Sequence, residues 1–278
     1  MSRIIAKYLI ETGEDLEQAA ATMAGEQSAG TFVRVPGETD ELRERFGARV
    51  ENITRLGTVA RPTLGGARQS DDGRYARAEV TISWNLENMG THLPNLISTV
   101  SGNLYELGAF SGLKLLDFDV PEDFAGAYPG PQFGITGTRE LSGVEGRPVV
   151  GTIIKPSVGM SPDQTAERVA LFCRAGLDFV KDDELQGDSP HSPFAERVEK
   201  VMKVVNDHAR TTGTKLMFAF NISGDVEQMR ERHDLVLEHG GTCVMVNLNS
   251  VGVAGMLEVR KFSQLPVHGH RNGWGGIS

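Results

Sequence analysis

The chain has 278 residues and carries 28 Lys and Arg against 37 Asp and Glu, for a net charge of −9. This length supports one large or two medium domains, and the acidic balance argues against a general nucleic-acid or membrane-surface binder. The two cysteines, Cys173 and Cys243, lie in apolar segments and are predicted to be reduced core residues. No signal segment and no apolar run long enough to span a membrane is evident, which predicts a cytoplasmic protein.

Residues 1–125 alternate between strand and helix patterns, and these contain the order β-α-β-β-α-β. This order is typical of a ferredoxin-like α+β sandwich. Residues 126–146 are rich in Gly and Pro and are predicted to form a linker. The predicted strands cover residues 3–10, 31–35, 49–56, 75–84 and 113–120, and the predicted helices cover residues 15–23, 38–46 and 93–100.

From residue 149 onward, short apolar segments alternate regularly with amphipathic ones. Such alternation is typical of a parallel sheet, and five βα units at similar spacing favour a TIM-type (β/α) barrel over a doubly wound sheet. No Gly-x-Gly-x-x-Gly follows any strand, which argues against a dinucleotide-binding fold. We therefore expect residues 126–278 to form the first part of a TIM-type barrel. The predicted strands cover residues 149–154, 177–180, 216–220, 243–246 and 266–268, and the predicted helices cover 161–173, 192–205, 225–238 and 255–262.

Polar or charged side chains occur at the end of each of these five strands. The carboxyl ends of parallel strands meet at one face of a barrel, where barrel enzymes build their active sites. Five such strands in succession predict a catalytic face. The residues are Lys155 after the first strand, Lys181, Asp183 and Glu184 after the second, Asn221 and Asn247 after the third and fourth, and His268, His270 and Arg271 at the fifth.

Residues 176–184, Gly-Leu-Asp-Phe-Val-Lys-Asp-Asp-Glu, give the most specific signal. Three adjacent carboxylates repel one another and lose hydration beside a buried strand. This favours a bound hard cation such as Mg²⁺ over the alternative of a solvated acidic loop. An unmodified Lys181 would repel that cation, whereas a carbamate formed from CO₂ on its amine would supply a third oxygen ligand beside Asp183 and Glu184.

The other strand-end residues suit acid–base chemistry and anion binding. Lys155 can move a proton at carbon next to a carbonyl if burial and a metal lower its pKa, and a metal would stabilise the enolate that forms. His268 and His270 share one face of a strand, either as hydrogen-bonded core histidines or as site residues. A zinc site lacks a third soft ligand. Arg271 suits a phosphate or a carboxylate.

These segments resemble the large-chain family of ribulose-bisphosphate carboxylase (RuBisCO), from about residue 6 to the last residue. The resemblance implies that Lys181 carries a CO₂-derived carbamate and binds one Mg²⁺ together with Asp183 and Glu184. It also implies catalytic roles for Lys155, Lys181 and His270. The matching segments are residues 151–156, 176–184 and 268–271 and, in the first domain, residues 25–31 and 101–103.

The resemblance also implies how substrate and subunits meet. His270 and Arg271 fall on substrate-binding positions, and Arg271 would contact a phosphate. Glu26, Thr31 and Asn103 match the residues that the small domain lends to a neighbouring subunit's site. The implied active unit is a head-to-tail homodimer that acts on a phosphorylated small molecule, with no nucleic-acid or membrane partner.

Three departures separate the chain from true carboxylases. Ser157 stands where a second lysine is expected, Trp274 where the family has a histidine, and Asn247 where an acid is expected. They indicate the RuBisCO-like (form IV) branch, which keeps metal-assisted enolisation without fixing CO₂ on ribulose bisphosphate. About five of the eight expected barrel strands are present, so we expect a partial sequence.

Within this branch the resemblance favours a decarboxylase of a 3-oxo sugar-acid phosphate, of the 3-oxo-isoapionate 4-phosphate type. The alternatives are a 5-methylthioribulose 1-phosphate isomerase, a methionine-salvage enolase, a true ribulose-bisphosphate carboxylase and a non-catalytic fragment. The enolase branch carries a lysine at the position of Asn103, which argues against that alternative. Metal-dependent CO₂ binding at Lys181 would separate an enzyme from a scaffold.

Overall fold

The computed structural model describes residues 2–29 and 35–273. The chain divides into two compact units, with the boundary between Pro129 and Gly130. Across the described ranges, no helix combines the length and the apolar character that a membrane crossing requires. The strand predicted over residues 31–35 falls almost wholly outside the described residues.

The first unit contains strands β1 (Arg3–Thr12), β2 (Arg49–Val59), β3 (Tyr75–Asn85) and β4 (Phe110–Asp119). They form an antiparallel sheet in the order β2-β3-β1-β4. This order fits the predicted ferredoxin-like fold. The helices are α1 (Leu16–Glu26), α2 (Asp40–Phe46), α3 (Leu93–Ser101) and α4 (Glu122–Ala125), with 3₁₀ turns at Leu86–Asn88 and Asn103–Glu106.

Alternate residues of β1 form the centre of this unit's core. Ile4, Ala6 and Tyr8 are fully buried, because successive strand residues point to opposite faces of the sheet. The Tyr8 hydroxyl donates to the carbonyl of Val100 at 2.7 Å, which ties α3 to the sheet. Burial raises the pKa of Tyr8 well above its ordinary value. Helix α1 begins where the Asp15 carboxylate accepts a hydrogen bond from a first-turn backbone N–H.

The second unit contains strands β5 (Gly151–Ile153), β6 (Phe179–Lys181), β7 (Met217–Asn221), β8 (Cys243–Asn247) and β9 (Val267–His270). The sheet is parallel and each strand pairs with the next one along the chain, as in the wall of a TIM barrel. The predicted fold class is therefore confirmed as a partial barrel of five strands. The helices are α5 (Gly134–Ser142), α6 (Pro162–Arg174), α7 (Phe194–Thr212), α8 (Val226–Glu238) and α9 (Leu248–Phe262).

Two predictions about local structure are wrong, and both concern glycine. Residues 126–146 are not only a linker, because α5 forms within them. Its first residue is Gly134, and Gly143 ends it in the left-handed conformation with φ 65°. Helix α9 begins directly after β8 rather than at residue 255, with a kink at Gly252 (φ 69°). The predicted start of α6 is confirmed by a capping box that Ser161 forms with the third helical residue.

The two faces of the parallel sheet differ in chemistry. One face packs against helices in a large apolar core that includes Phe218 and Phe220. The other face carries a smaller apolar cluster of Met217, Ala219, Cys243 and Met245, and the next side chains on that face along the strands are polar. Both cysteines are buried and free, and burial raises the pKa of Cys243 to about 12.

Truncating Phe220 should destabilise the second unit. Its ring centroid lies 6.3 Å from that of Phe194 and 4.4 Å from that of Phe218. Phe220→Ala would leave a cavity that costs about 3–5 kcal/mol. Thermal unfolding followed by circular dichroism should show a clearly lower Tm. Leu171→Ala, at a position on α6 that is 50% exposed, is the control and should change stability by less than about 0.5 kcal/mol. Equal Tm values for the two variants would contradict this core.

Candidate active site

Lys155 and Asp183 form an ion pair beyond the carboxyl ends of β5 and β6. Lys155 Nζ lies 2.6 Å from Asp183 Oδ2 and 2.7 Å from Ser157 Oγ. The Asp183 side chain is only 1% exposed. Burial alone would raise the pKa of Asp183, but hydrogen bonds from Lys155 and from the Leu185 amide lower it below its ordinary value. Asp183 is therefore an ionised carboxylate that forms an ion pair with Lys155.

Lys181 is the last residue of β6 and is partly buried. Its Nζ donates to the main-chain oxygen of Asp182 at 3.0 Å. Burial is the largest influence and lowers the pKa of Lys181, and the negative charges of Glu184 and Asp183 oppose this only in part. A lowered pKa increases the fraction of neutral amine, which is the form that can react with CO₂.

Glu184 is the residue at which four strand ends meet. Its Oε2 lies 3.7 Å from Nε2 of His270 in β9. The side-chain amides of Asn221 and Asn247, at the ends of β7 and β8, donate to its carbonyl oxygen at 3.2 and 3.0 Å. The main chain of this acid is therefore fixed by two neighbouring strands.

The structure separates Asp182 from the two acids that follow it. Its side chain is fully buried, and its Oδ2 accepts from the Asn221 backbone N–H at 3.0 Å and lies 3.4 Å from Arg197 Nη2. Burial raises the pKa of Asp182, against the lowering effect of Arg197. Asp182 thus anchors the end of β6, which leaves Asp183 and Glu184 as metal-ligand candidates. Sequence reasoning missed Arg197, because the charge pattern of α7 is typical of a solvated helix face.

His268 and His270 lie on the same strand near Lys181. The ring centroid of His268 is 5.6 Å from that of Phe179. Burial and then the positive charge of Lys181 lower the pKa of His268 to about 4, so this side chain is neutral at pH 7. The same two influences lower the pKa of His270, and Glu184 opposes them. His268 is therefore a partly buried neutral ring beside Phe179, whereas His270 lies next to the Glu184 carboxylate.

The side chains at this edge suit a hard cation only if Lys181 is converted to a carbamate. Within residues 2–29 and 35–273, no three His, Cys, Asp or Glu side chains converge as a metal site. Asp183 and Glu184 offer two carboxylates, and a carbamate on Lys181 would add a third anionic oxygen of the kind that Mg²⁺ prefers. The residues fit one Mg²⁺ once the amine of Lys181 is modified.

The remaining predicted residues are divided between the two units. Arg271 is exposed directly after β9. In the first unit, Asn103 Nδ2 lies 3.4 Å from Glu26 Oε1, so these two predicted residues are brought together although they are far apart in sequence. Thr31 and Trp274 lie outside the described residues.

Comparison with known proteins decides the family. Residues 1–124 match the N-terminal domain of the ribulose bisphosphate carboxylase large chain, and residues 134–278 match its catalytic domain. The chain belongs to the RuBisCO large-chain family. Its relatives place it in the RuBisCO-like branch, which confirms the resemblance drawn from residues 176–184 and 268–271.

Two relatives of this RuBisCO-like chain have informative names. A protein of Xanthobacter autotrophicus named 3-oxo-isoapionate-4-phosphate transcarboxylase/hydrolase is 54% identical over 273 residues, which cover 98% of this chain and 66% of the relative. A protein of Rhizobium rhizogenes named 3-oxo-isoapionate-4-phosphate decarboxylase is 45% identical over 272 residues, which cover 98% and 65%. The chain therefore spans slightly less than two thirds of the length of these relatives.

Solved structures support the fold of the RuBisCO-like chain. The crystal structure of a rubisco-like protein from Burkholderia fungorum is 40% identical with a TM-score of 0.91, covering 100% of this chain and 66% of that one. The dimeric archaeal Rubisco from Hyperthermus butylicus is 26% identical with a TM-score of 0.84, covering 99% and 61%. Another related Rubisco, from Pyrococcus horikoshii, is octameric.

His268 should remain neutral down to about pH 4. A histidine in the unfolded chain has a pKa of about 6.5. Between about pH 4 and this value, the unfolded chain therefore binds a proton at His268 that the folded chain does not. Stability should therefore fall as pH drops through this window. NMR titration of the His268 ring measures the pKa, and the His268→Gln variant identifies its signal. The same variant should show a flatter dependence of Tm on pH. Lys181→Met should raise the pKa of His268. Titration near 6.5 in the wild-type chain would show that the ring is not desolvated.

Proposed function

We propose that this RuBisCO-like chain forms the main part of a Mg²⁺-dependent enzyme that decarboxylates a 3-oxo sugar-acid phosphate, of the 3-oxo-isoapionate 4-phosphate type. The observation that carries the proposal is the placement of Lys155 against Asp183 beside the desolvated amine of Lys181. The names of relatives that are 45–54% identical supply the substrate class.

One Mg²⁺ would be held by Asp183, Glu184 and a CO₂-derived carbamate on Lys181. When bound, it would polarise the substrate's 3-oxo group and stabilise the negative charge that develops there. The lowered pKa of Lys181 supports this assignment, because carbamate formation requires the neutral amine. Arg271 would bind the phosphate, and His270 would bind the sugar-acid backbone beside Glu184.

Lys155 would supply the proton. Decarboxylation breaks the carbon–carbon bond to the carboxylate, CO₂ leaves, and the bonding electron pair passes into an enolate. Lys155 Nζ then donates a proton to the carbon that lost CO₂, which restores the ketone. Ser157 Oγ, 2.7 Å from this nitrogen, orients the ammonium.

The proposed assembly is a cytoplasmic homodimer with shared active sites. Related solved structures include a dimeric and an octameric Rubisco, which supports an oligomer. Glu26, Thr31 and Asn103 would come from the small domain of the neighbouring subunit. The contact between Asn103 and Glu26 supports a joint role for these two residues.

A transcarboxylase is a second candidate, because the relative that is 54% identical is named a transcarboxylase/hydrolase. In that reaction the carboxyl group passes to an acceptor instead of leaving as CO₂. Substrate labelled with ¹³C in the carboxylate separates the two reactions. Free ¹³CO₂ as the first product indicates the decarboxylase, and label that first appears in another covalent product indicates the transcarboxylase.

Lys181 should form a carbamate in this chain. With Mg²⁺ and ¹³C-bicarbonate we expect a carbamate ¹³C resonance from the wild type and none from Lys181→Met. Lys215 is the matched control, because burial lowers its pKa too, while its Nζ donates to Gly240 O rather than facing the candidate site. Lys215→Met should keep the resonance. A signal that survives in Lys181→Met, or is absent from the wild type, would overturn the metal-site assignment.

Lys155→Met should lower kcat by about 10²–10⁴-fold, because it removes the proton donor. The carbamate resonance should persist, since the variant leaves Lys181, Asp183 and Glu184 in place. The assay is CO₂ release and solvent-deuterium incorporation at the product carbon, followed by NMR. Loss of less than tenfold would show that another group delivers the proton.

A further inference from the structure

Two asparagine side chains converge on one backbone atom, the carbonyl oxygen of Glu184. Nδ2 of Asn221 donates to it at 3.2 Å and Nδ2 of Asn247 at 3.0 Å. Asn221 and Asn247 are 1% and 5% exposed. Buried amides that share a single acceptor form a fixed support rather than a surface contact.

The support lies where the sheet ladder ends. The Asp182 backbone N–H still donates to Ala219 O at 3.0 Å, as a sheet residue does. At Asp183 and Glu184, side chains replace the neighbouring strand as hydrogen-bond partners of the backbone. The Asp183 N–H donates to Gln186 Oε1 at 2.9 Å, and the Glu184 carbonyl accepts from the two asparagine amides. Where the segment with the proposed metal ligands leaves the strand, side chains therefore provide the partners of the Asp183 N–H and the Glu184 carbonyl.

Ser223 fixes the orientation of the first amide and links it to the second residue. Asn221 Oδ1 accepts from the Ser223 hydroxyl at 2.7 Å and from its backbone N–H at 3.2 Å, so Nδ2 must face Glu184. The same hydroxyl oxygen accepts from the Asn247 backbone N–H at 2.9 Å. The ends of β7 and β8 are thus joined into one network that acts on Glu184.

We propose that Asn221 and Asn247 are positioning residues for Glu184. By holding its carbonyl they restrict the direction in which the side chain leaves the main chain, with the carboxylate 3.7 Å from His270 Nε2. Neutral amides do this without adding charge next to Asp183 and Glu184. The link to metal affinity rests on the proposed function, whereas the anchoring of the carbonyl does not.

Asn→Leu substitutions test this, because leucine has nearly the same shape as asparagine and donates no hydrogen bond. Asn247→Leu and Asn221→Leu should each weaken Mg²⁺ binding in bicarbonate, measured by calorimetry, by about 10–100-fold. The double variant should lose more than either. In chains with ¹³C-labelled glutamate carbonyls, the Glu184 signal should shift upfield in each variant. Asn206→Leu is the control: it removes an amide donor to His239 O, away from this network, and should change neither readout.

The outcomes separate the two proposals. If wild-type chain binds no Mg²⁺ in bicarbonate, the proposed function fails, and the Glu184 carbonyl shift alone decides the anchoring. If wild type binds Mg²⁺ and the Asn247→Leu variant binds it equally well, the positioning role is overturned. An unchanged carbonyl shift also overturns it. If Asn221→Leu fails to fold because Ser223 loses its partner, Asn247→Leu and Asn247→Ser decide the question, provided that each variant has the same Tm as the wild type.

Discussion

The parallel register of β5 to β9 is the constraint on which the candidate site depends. Neighbouring strands keep their residues aligned, so Asn221 pairs with Met245 and Asn247 with His270. Because side chains alternate between the faces, the polar residues that follow the inner apolar cluster all reach one edge. A slip of one residue in any strand would turn its polar side chain toward the helices, where the core is apolar.

Charge balance follows from this placement and gives the two lysines different chemistry. Lys155 is held in a direct ion pair with Asp183, whose pKa stays below its ordinary value despite burial. Among the residues that the structure describes, Lys181 forms no ion pair of this kind, and desolvation outweighs its attraction to the nearby acids. The ion pair therefore holds the Lys155 amine at a defined place, and the amine of Lys181 more easily becomes neutral. This difference supports assigning proton transfer to Lys155 and modification to Lys181.

The sequence was informative wherever the two-residue repeat of a strand decides on which face of the sheet a side chain lies. The two-residue period of the strands and the parallel sheet were enough to place Lys155, Lys181 and His270 at one edge. It was uninformative where a contact joins distant elements. Asp182 and Arg197 meet because a loop returns α7 to the end of β6, and no local pattern encodes that return. Glycine-rich composition likewise suggested a linker over residues 126–146, although α5 places glycine at both of its ends.

Asp182 and Glu184 are held in place by different kinds of group. Asp182 is fully buried, and a carboxylate in that position requires a charged partner, which Arg197 provides. Under the proposed metal site, a charged donor at the Glu184 carbonyl would compete with the metal, and an additional acid there would repel the Glu184 carboxylate. An amide donates without net charge, and two amides satisfy both lone pairs of the carbonyl. The site thus combines charged groups for chemistry with neutral donors for position, and Asn221 links both by donating its backbone N–H to Asp182 and its side chain to Glu184.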